Sequence, residues 1–374
     1  MDRSADIAIV GAGIVGLAHA YMALRKGYKV VLFEREQFAV GASVRNFGLL
    51  WPIGQEPGVG LGRALRSRRH WQDVASEAGI WINNNGSLHV AFHDDEWSVL
   101  QEFMEVYKNT EYQCELLGAE QIKTKSPVVK HQGLLGGLWS RTEGTVYARD
   151  AIRRIPLWLQ EKYGLILKFG HVVTEISIPT IKTAREQWRA EKVFVCSGAD
   201  FETLYPEVFD QYPVSKCKLQ MLKAVPDRRL TLGPTLCAGL TLRHYAAFSK
   251  CSSIKTLADR YDEESIDYKE NGVHVLLAQN ETGELIVGDS HHYSSTPEPF
   301  DREEVSSLIL KYLDTFTTLG TLRITERWHG VYPKITENAS MIVSPELGVT
   351  IVTGLGGAGM TLSFGLAEEL IESL

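Results

Sequence analysis

Four apolar residues in succession, Ile7-Ala8-Ile9-Val10, begin the regular pattern of the chain. A run without polar alternation predicts a strand covered on both faces, as in a parallel sheet. An Ala- and Leu-rich stretch over 14–26 predicts a helix, closed by Gly27. A second apolar run, 30–33, ends on Glu34. The spacing then predicts a helix around 62–77 and an alternating strand over 86–92. Another helix is expected over 94–108, with Asp94 or Asp95 near its N-cap, and a further one within 145–162. Strands are expected at 165–169 and 172–178, joined at Gly170-His171, and at 192–196, which runs into Ser197-Gly198-Ala199. Between 214 and about 325 the pattern shifts to strands broken by polar loops, for example 219–224, 272–278 and 284–287. A charged amphipathic helix is expected over 301–316, and its charges read as a solvated face. The end returns to α/β character: a strand at 348–353, a glycine loop at 354–359 and a helix at 360–374. There is no repeat and no low-complexity tract.

The turn after the first strand is Gly11-Ala12-Gly13-Ile14-Val15-Gly16. Strand, glycine turn, helix, strand and terminal acid together form the dinucleotide fingerprint of a Rossmann βαβ unit. Gly11 serves the tight turn, Gly13 the close approach of a pyrophosphate, and Gly16 the packing of helix on strand. The helix N-terminus offers free N–H groups to phosphate, and Glu34 can accept from a ribose. The fold class expected is α/β, a discontinuous Rossmann-like domain with an inserted, mainly antiparallel β substrate domain. The boundaries expected are 1–85, 140–213 and 326–374 for the cofactor domain, and 86–139 and 214–325 for the substrate domain.

Length and charge narrow the field. The 374 residues allow two interlocked domains, and a net charge of −7 without a basic stripe gives nucleic acid no footprint. Five scattered cysteines without a CxxC pair suit free thiols in a reducing compartment. Met1-Asp2-Arg3-Ser4-Ala5-Asp6 leads straight into the first strand, so no signal peptide is expected, and no apolar stretch is long enough for a transmembrane segment. The expectation is a cytoplasmic protein. No metal is expected: His291 and His292 are adjacent, and neighbouring strand residues point to opposite faces.

The second glycine loop, Gly354-Leu355-Gly356-Gly357-Ala358-Gly359, changes the reading from dinucleotide to flavin. A helix N-terminus aimed at the pyrimidine edge of an isoalloxazine stabilises the negative charge of its reduced form. Gly41-Ala42-Ser43-Val44-Arg45-Asn46-Phe47-Gly48 supplies small and hydrogen-bonding residues that can wrap the pyrophosphate and ring edge.

Taken together these segments resemble the FAD-dependent oxidoreductases of the D-amino-acid oxidase (DAO) type, which include glycine and sarcosine oxidases and D-amino-acid dehydrogenases. The resemblance covers essentially the whole chain and continues through Trp328-His329-Gly330-Val331-Tyr332-Pro333 and Thr353 to Thr361. It implies non-covalent FAD lined by Gly11, Ala12, Gly13, Ile14, Gly16, Glu34, Arg35, Ser43, Asn46, Phe47 and Gly48. Val173 is implied at the adenine, Ser197 and Gly198 at the diphosphate, and Gly330 with Gly357, Ala358, Gly359, Met360 and Thr361 at the ring. Relatives that take simple α-amino acids hold the carboxylate with an Arg where this chain has Tyr332. Sarcosine oxidases place a Lys where it has Thr361, and the usual Asp is replaced in Thr336-Glu337-Asn338. No cysteine near Trp328–Pro333 offers a covalent anchor. The finer details resemble a branch associated with aminoalkylphosphonate breakdown: Trp51-Pro52-Ile53-Gly54-Gln55, Leu242-Arg243-His244-Tyr245 and Gly288-Asp289-Ser290-His291-His292-Tyr293.

The resemblance implies oxidation of a small primary or secondary amine by hydride transfer from the carbon bearing nitrogen, followed by imine hydrolysis, with oxygen or a quinone as acceptor. Candidate substrate residues are His329, Tyr332, Arg45, Arg243, Tyr245 and His291. His244 and Lys334 are further donors toward a phosphonate. Strand alternation would put Arg243 and Tyr245 on one face. A D-amino-acid or glycine-type enzyme, a 2-hydroxy acid dehydrogenase on the same fold and a non-catalytic FAD-binding subunit stay open.

Overall fold

The computed structural model describes residues 3–335 and 340–374. Met1, Asp2 and the Thr336-Glu337-Asn338 run lie outside them. The apolar runs build a six-stranded sheet in the order Met341–Val343, Val349–Thr353, Lys192–Val195, Ile7–Val10, Val30–Glu34, Ile166–Phe169. All its pairings are parallel except that of Met341–Val343 with Val349–Thr353. Strand alternation divides this sheet between two cores. Ile7, Ile9, Val30 and Leu32 face the helices Ile14–Arg25, Ala148–Tyr163 and Gly359–Glu372. Ala8, Val31, Phe33, Val193 and Ile351 face the three-stranded meander Val173–Ser177, Thr180–Thr183, Gln187–Arg189.

A nine-stranded sheet, antiparallel but for one parallel pair, carries the second core. Its spine is the strand Val214–Pro226 paired along its length with Leu322–Ile335. The latter strand crosses the expected boundary at 326, so residues 326–335 belong to the large sheet and not to the parallel one. Ser87–Ala91, Gly136–Ser140 and Cys114–Leu117 extend the other end of the sheet. This is the α/β architecture expected, with a mainly antiparallel β layer inserted in a discontinuous Rossmann-like domain. Among the described residues no helix is long and apolar enough to cross a membrane.

Helix Gly359–Glu372 locks the two ends of the parallel domain together. It packs on both Ile14–Arg25 and Val59–Ala78. At the second crossing a Cβ on Gly365 would lie 2.3 Å from the Arg63 carbonyl oxygen, so only glycine permits the approach. Arg63 and Arg66 then pair with Glu369, and His70 with Glu368 at 2.9 Å.

Candidate active site

The first glycine turn is built by close contacts. Gly11 has φ +101°, and a Cβ there would meet the Cys196 carbonyl oxygen at 2.4 Å. A Cβ on Gly16 would sit 1.9 Å from the Gly11 oxygen, which brings the helix onto the strand. Gly13 meets only the Ser43 hydroxyl, 3.1 Å from its would-be Cβ. That hydroxyl oxygen accepts the Ile14 N–H at 2.9 Å and so ties the 41–48 segment to the helix start. Glu34 accepts the Ala12 N–H at 2.9 Å and the Glu36 N–H at 3.1 Å.

A cavity of about 340 Å³ follows this turn. At one end lie Glu34, Arg35, His171 and Val173, where an adenosine half is expected. In the middle are Gly11, Gly13, Ile14, Ser43, Ser197 and Gly198. At the other end are Tyr332, Gly354, Leu355, Gly356 and Gly359. Arg35 pairs with Asp200 on its rim. A second cavity of about 860 Å³ shares Ile14, Ala42, Ser43, Tyr332 and the 354–356 loop with the first and continues between the two sheets. Gly330 and the whole 357–361 segment line it, as do Arg45, Asn46 and Phe47.

Several expected residues have other duties. Gly48 has φ +80° and lines neither cavity; a Cβ there would strike the Val146 carbonyl oxygen at 1.9 Å, so it is a packing glycine. Gly16 and Ala12 likewise shape the turn from behind. Asn46 donates to the Ala42 and Ser43 carbonyl oxygens and accepts from the Gly48 N–H at 2.6 Å, bracing its own loop. Thr361 accepts the Trp51 N–H at 2.9 Å, so its hydroxyl is committed to backbone. His329 corrects the expectation most clearly. Alternation along Leu322–Ile335 turns Gly330, Tyr332 and Lys334 to the large cavity and His329 to the opposite face, where its Nδ1 lies 2.9 Å from Asp301 Oδ1. Asp301 also pairs with Lys218 at 2.9 Å, so it is not merely solvated. Arg45 edges the cavity but donates to the Val40 and His329 carbonyl oxygens, at 2.7 and 3.3 Å. Arg243 caps the short helix Gly239–Leu242 and does not lie on a strand; it lines the cavity while paired with Asp262 at 2.9 Å.

The deeper wall is only partly legible in the sequence. His244, His274 and His291 gather there with their ring nitrogens within 4.8 Å of one another. His244 and His274 stack at 3.8 Å between centroids, His274 and His291 at 4.9 Å. Asp289 lies beneath, its Oδ1 3.1 Å from His274 Nε2, yet those atoms are not aligned for a hydrogen bond. Burial pushes His274 well below the ordinary histidine range and lowers His291 to about 4; desolvation lowers His244 too, although its ring keeps an exposed edge on the cavity. Burial pushes the Asp289 carboxyl well above the usual range. His274 carries no signal of its own in an apolar stretch, 273–279; only the chain path joins it to the other two. Tyr245 completes the wall against Trp51, at 6.0 Å between ring centroids, and burial raises its phenol. Tyr332 is buried, touches the His291 ring edge-on, and has its hydroxyl 3.7 Å from a would-be Cβ on Gly357.

The FAD dependent oxidoreductase (DAO) family matches residues 6–373. The chain belongs to this family. The gamma-glutamylputrescine oxidoreductase of Escherichia coli (strain K12) is 25% identical over 99% of this chain and 83% of its own length. Among solved structures, L-proline dehydrogenase from P. horikoshii superposes with a TM-score of 0.80 at 19% identity, covering 100% of this chain and 93% of that one. Glycine oxidase from Bacillus cereus ATCC 14579 gives 0.78 at 18%, covering 99% and 95%. FAD is therefore the cofactor of this DAO-family oxidoreductase, and the residues present fit it. The paired cavities are continuous, the first turn is open where Gly13 lacks a Cβ, and a helix N-terminus enters each half.

Proposed function

We propose that this DAO-family enzyme oxidises a small primary or secondary amine that carries an acidic group, an aminoalkylphosphonate or its N-alkyl derivative fitting best. When bound, FAD supplies the hydride acceptor beside the 357–361 segment. The chain supplies the rest. Glu34, Ser43, Ser197 and Gly198 would hold the cofactor's adenosine and pyrophosphate, and the start of the Gly359–Glu372 helix would stabilise negative charge on the reduced ring. Tyr332 stands over Gly357 and orients the amine end. Leu219, Met221, Phe47 and Trp51 give the cavity an apolar wall that excludes water and favours a neutral amine. The released imine hydrolyses in solvent.

The observation that carries this reading is where cavity-facing cations and imidazoles stand. The position of the carboxylate-binding Arg is a buried tyrosine, Thr361 is tied to backbone, and the cationic and imidazole groups that line the cavity are Lys334, Arg243 and the three histidines. An acid group separated from the reacting C–N bond can reach Arg243 and the histidines while the amine end stays at Tyr332. Lys334, beside Gly356, has no carboxylate partner among the described residues and favours a second reading, a glycine- or D-amino-acid-type substrate. Anaerobic flavin reduction against a panel decides between them. 2-Aminoethylphosphonate and its N-methyl derivative are expected to bleach the flavin faster than D-alanine, glycine or sarcosine. Faster bleaching by the amino acids establishes the second reading, and bleaching by 2-hydroxy acids alone overturns both. The five free thiols agree with a reducing, cytoplasmic setting, with oxygen or a quinone taking the electrons.

A further inference from the structure

The three histidines come from separate parts of the chain, and nothing in the fold requires them to meet. The short helix before Arg243 brings His244, the approach to Leu276–Gln279 brings His274, and the segment after Leu285–Gly288 brings His291. All three face the large cavity. Both ring nitrogens of His274 and Oδ1 of Asp289 are buried without a hydrogen-bond partner. Orphaned polar atoms of this kind cost on the order of 1–3 kcal/mol each unless a ligand or water meets them. They lie beside a cavity, so a ligand can.

The ring arrangement selects its chemistry. A zinc-type ion needs imidazole lone pairs converging on one point about 2.1 Å away. Here two ring pairs are near-parallel, at 24° for His244 on His274 and 19° for His274 on His291, while His244 and His291 are tilted at 40° with centroids 4.6 Å apart, so the three rings cluster as a triangle. Stacked rings send their in-plane N–H and lone-pair directions side by side. Several oxygens of one tetrahedral group can meet such a cluster at once, and the neighbouring cations Lys334 and Arg243 favour an anion over a metal ion. Nearby charge has the same sense: Lys334 and Arg243 both act electrostatically on the cluster, and Asp262 already holds Arg243. Of the other groups on this wall, burial pushes the Asp289 carboxyl up and likewise raises Tyr245, Tyr332 and Cys217. Without a ligand, the stack cannot hold positive charge against its own repulsion. A dianion removes that obstacle.

We infer that His244, His274 and His291, backed by Asp289 and flanked by Lys334, form a subsite for the tetrahedral oxyanion end of the substrate, and that the stack takes up a proton from solvent as the anion enters. This rests on the amine-oxidase reading above for the rest of the substrate, but the anion can be tested alone. Methylphosphonate, and inorganic phosphate beside it, are titrated into the FAD-loaded protein, whose pyrophosphate site is filled. Calorimetry at pH 8 in two buffers of different ionisation enthalpy counts the protons. Close to one proton taken up per methylphosphonate is expected, with binding weakening by up to about 10-fold per pH unit as pH rises. His244→Asn, at an exposed position on the cavity, is expected to weaken binding at least 10-fold and to reduce proton uptake, with flavin content unchanged. His274→Asn is the second variant. Binding without proton uptake, no binding, or an unchanged His244→Asn overturns the subsite. Stoichiometric zinc in the purified protein, lost in His274→Asn, overturns it in favour of a metal centre. If anion binding behaves as expected while no amine bleaches the flavin, the subsite stands and the amine-oxidase reading fails.

Discussion

The Ser43 hydroxyl oxygen lies 2.9 Å from the Ile14 amide nitrogen, and the same oxygen is 3.1 Å from where a Cβ on Gly13 would stand. One side chain from the 41–48 segment thus occupies the start of the first helix, at the place where the pyrophosphate must approach. Gly13→Val is expected to give folded but colourless protein, because the new methyl groups displace Ser43 and block that approach. Gly16→Val is expected to give insoluble protein, because its Cβ would meet backbone at 1.9 Å. Circular dichroism and the visible absorption of the purified variants separate the two. A yellow Gly13→Val variant removes that turn from the cofactor site.

The flavin is expected to leave the protein on acid precipitation. Of the free cysteines only Cys196 lines a cofactor cavity, and burial keeps its thiol protonated and unreactive. Yellow colour in the pellet after denaturation would show a covalent bond instead.

Lys334→Met is expected to weaken an anionic substrate more than Arg243→Met does. The charge of Arg243 is already partly neutralised by Asp262, whereas Lys334 has no carboxylate partner among the described residues. A loss of about 2–3 kcal/mol for Lys334→Met, read as the apparent Kd in anaerobic titrations, follows if the contact is desolvated. A larger loss at Arg243 reverses the assignment.

Acid sensitivity has a defined sign. His19 and His89 are buried neutral, with burial lowering them to about 4 and about 3 from an unfolded value near 6.5. A depressed histidine favours the folded state above about 6.5. That stability is lost progressively as pH falls from there toward the folded value, because the unfolded chain binds the proton first. Thermal midpoints are therefore expected to drop between pH 6.5 and 4. His89 has no hydrogen-bond partner and packs against Trp51 and Phe248, so His89→Leu is expected to flatten part of that slope at little cost at pH 8. An unchanged slope would place the acid sensitivity elsewhere.

Glu143 is fully buried and accepts from the Ile53 N–H and Thr142 Oγ1 at 2.9 Å and from Ser87 Oγ at 3.1 Å. Burial pushes its carboxyl up. Glu143→Ala leaves those donors unmet and is expected to cost about 2–4 kcal/mol in urea unfolding, whereas Glu143→Gln, which keeps an acceptor oxygen, costs about 1 kcal/mol. Equal losses would mean that volume, not hydrogen bonding, sets the penalty.

Legibility in the sequence followed how local each signal was. Apolar runs and glycine turns at the two chain ends read directly, since a buried parallel strand and a tight turn each need only a few adjacent residues. The helix expected at 62–77 is Val59–Ala78, and that at 94–108 is Asp94–Val106. The short helix at Gly239–Leu242 and the helix Ile254–Glu264 carried no such mark and lay in a stretch expected to hold mainly strands. That error placed Arg243 on a strand it does not occupy. Only the central residues of Leu322–Ile335 carry a local signal, and the side that His329 takes depends on the strand's register against Val214–Pro226. The histidine stack was hidden for the same reason: three distant residues meet only through tertiary structure.

The two glycine loops that share one cavity are separated by more than three hundred positions in the chain. A ribosome therefore presents them at very different times. The first can fold into a turn while its counterpart is still being synthesised, and the strand Val349–Thr353 must find its slot beside Lys192–Val195 late. Cofactor capture has to wait for the second loop, and the protein's yield of active molecules should follow the supply of flavin once helix Gly359–Glu372 has emerged.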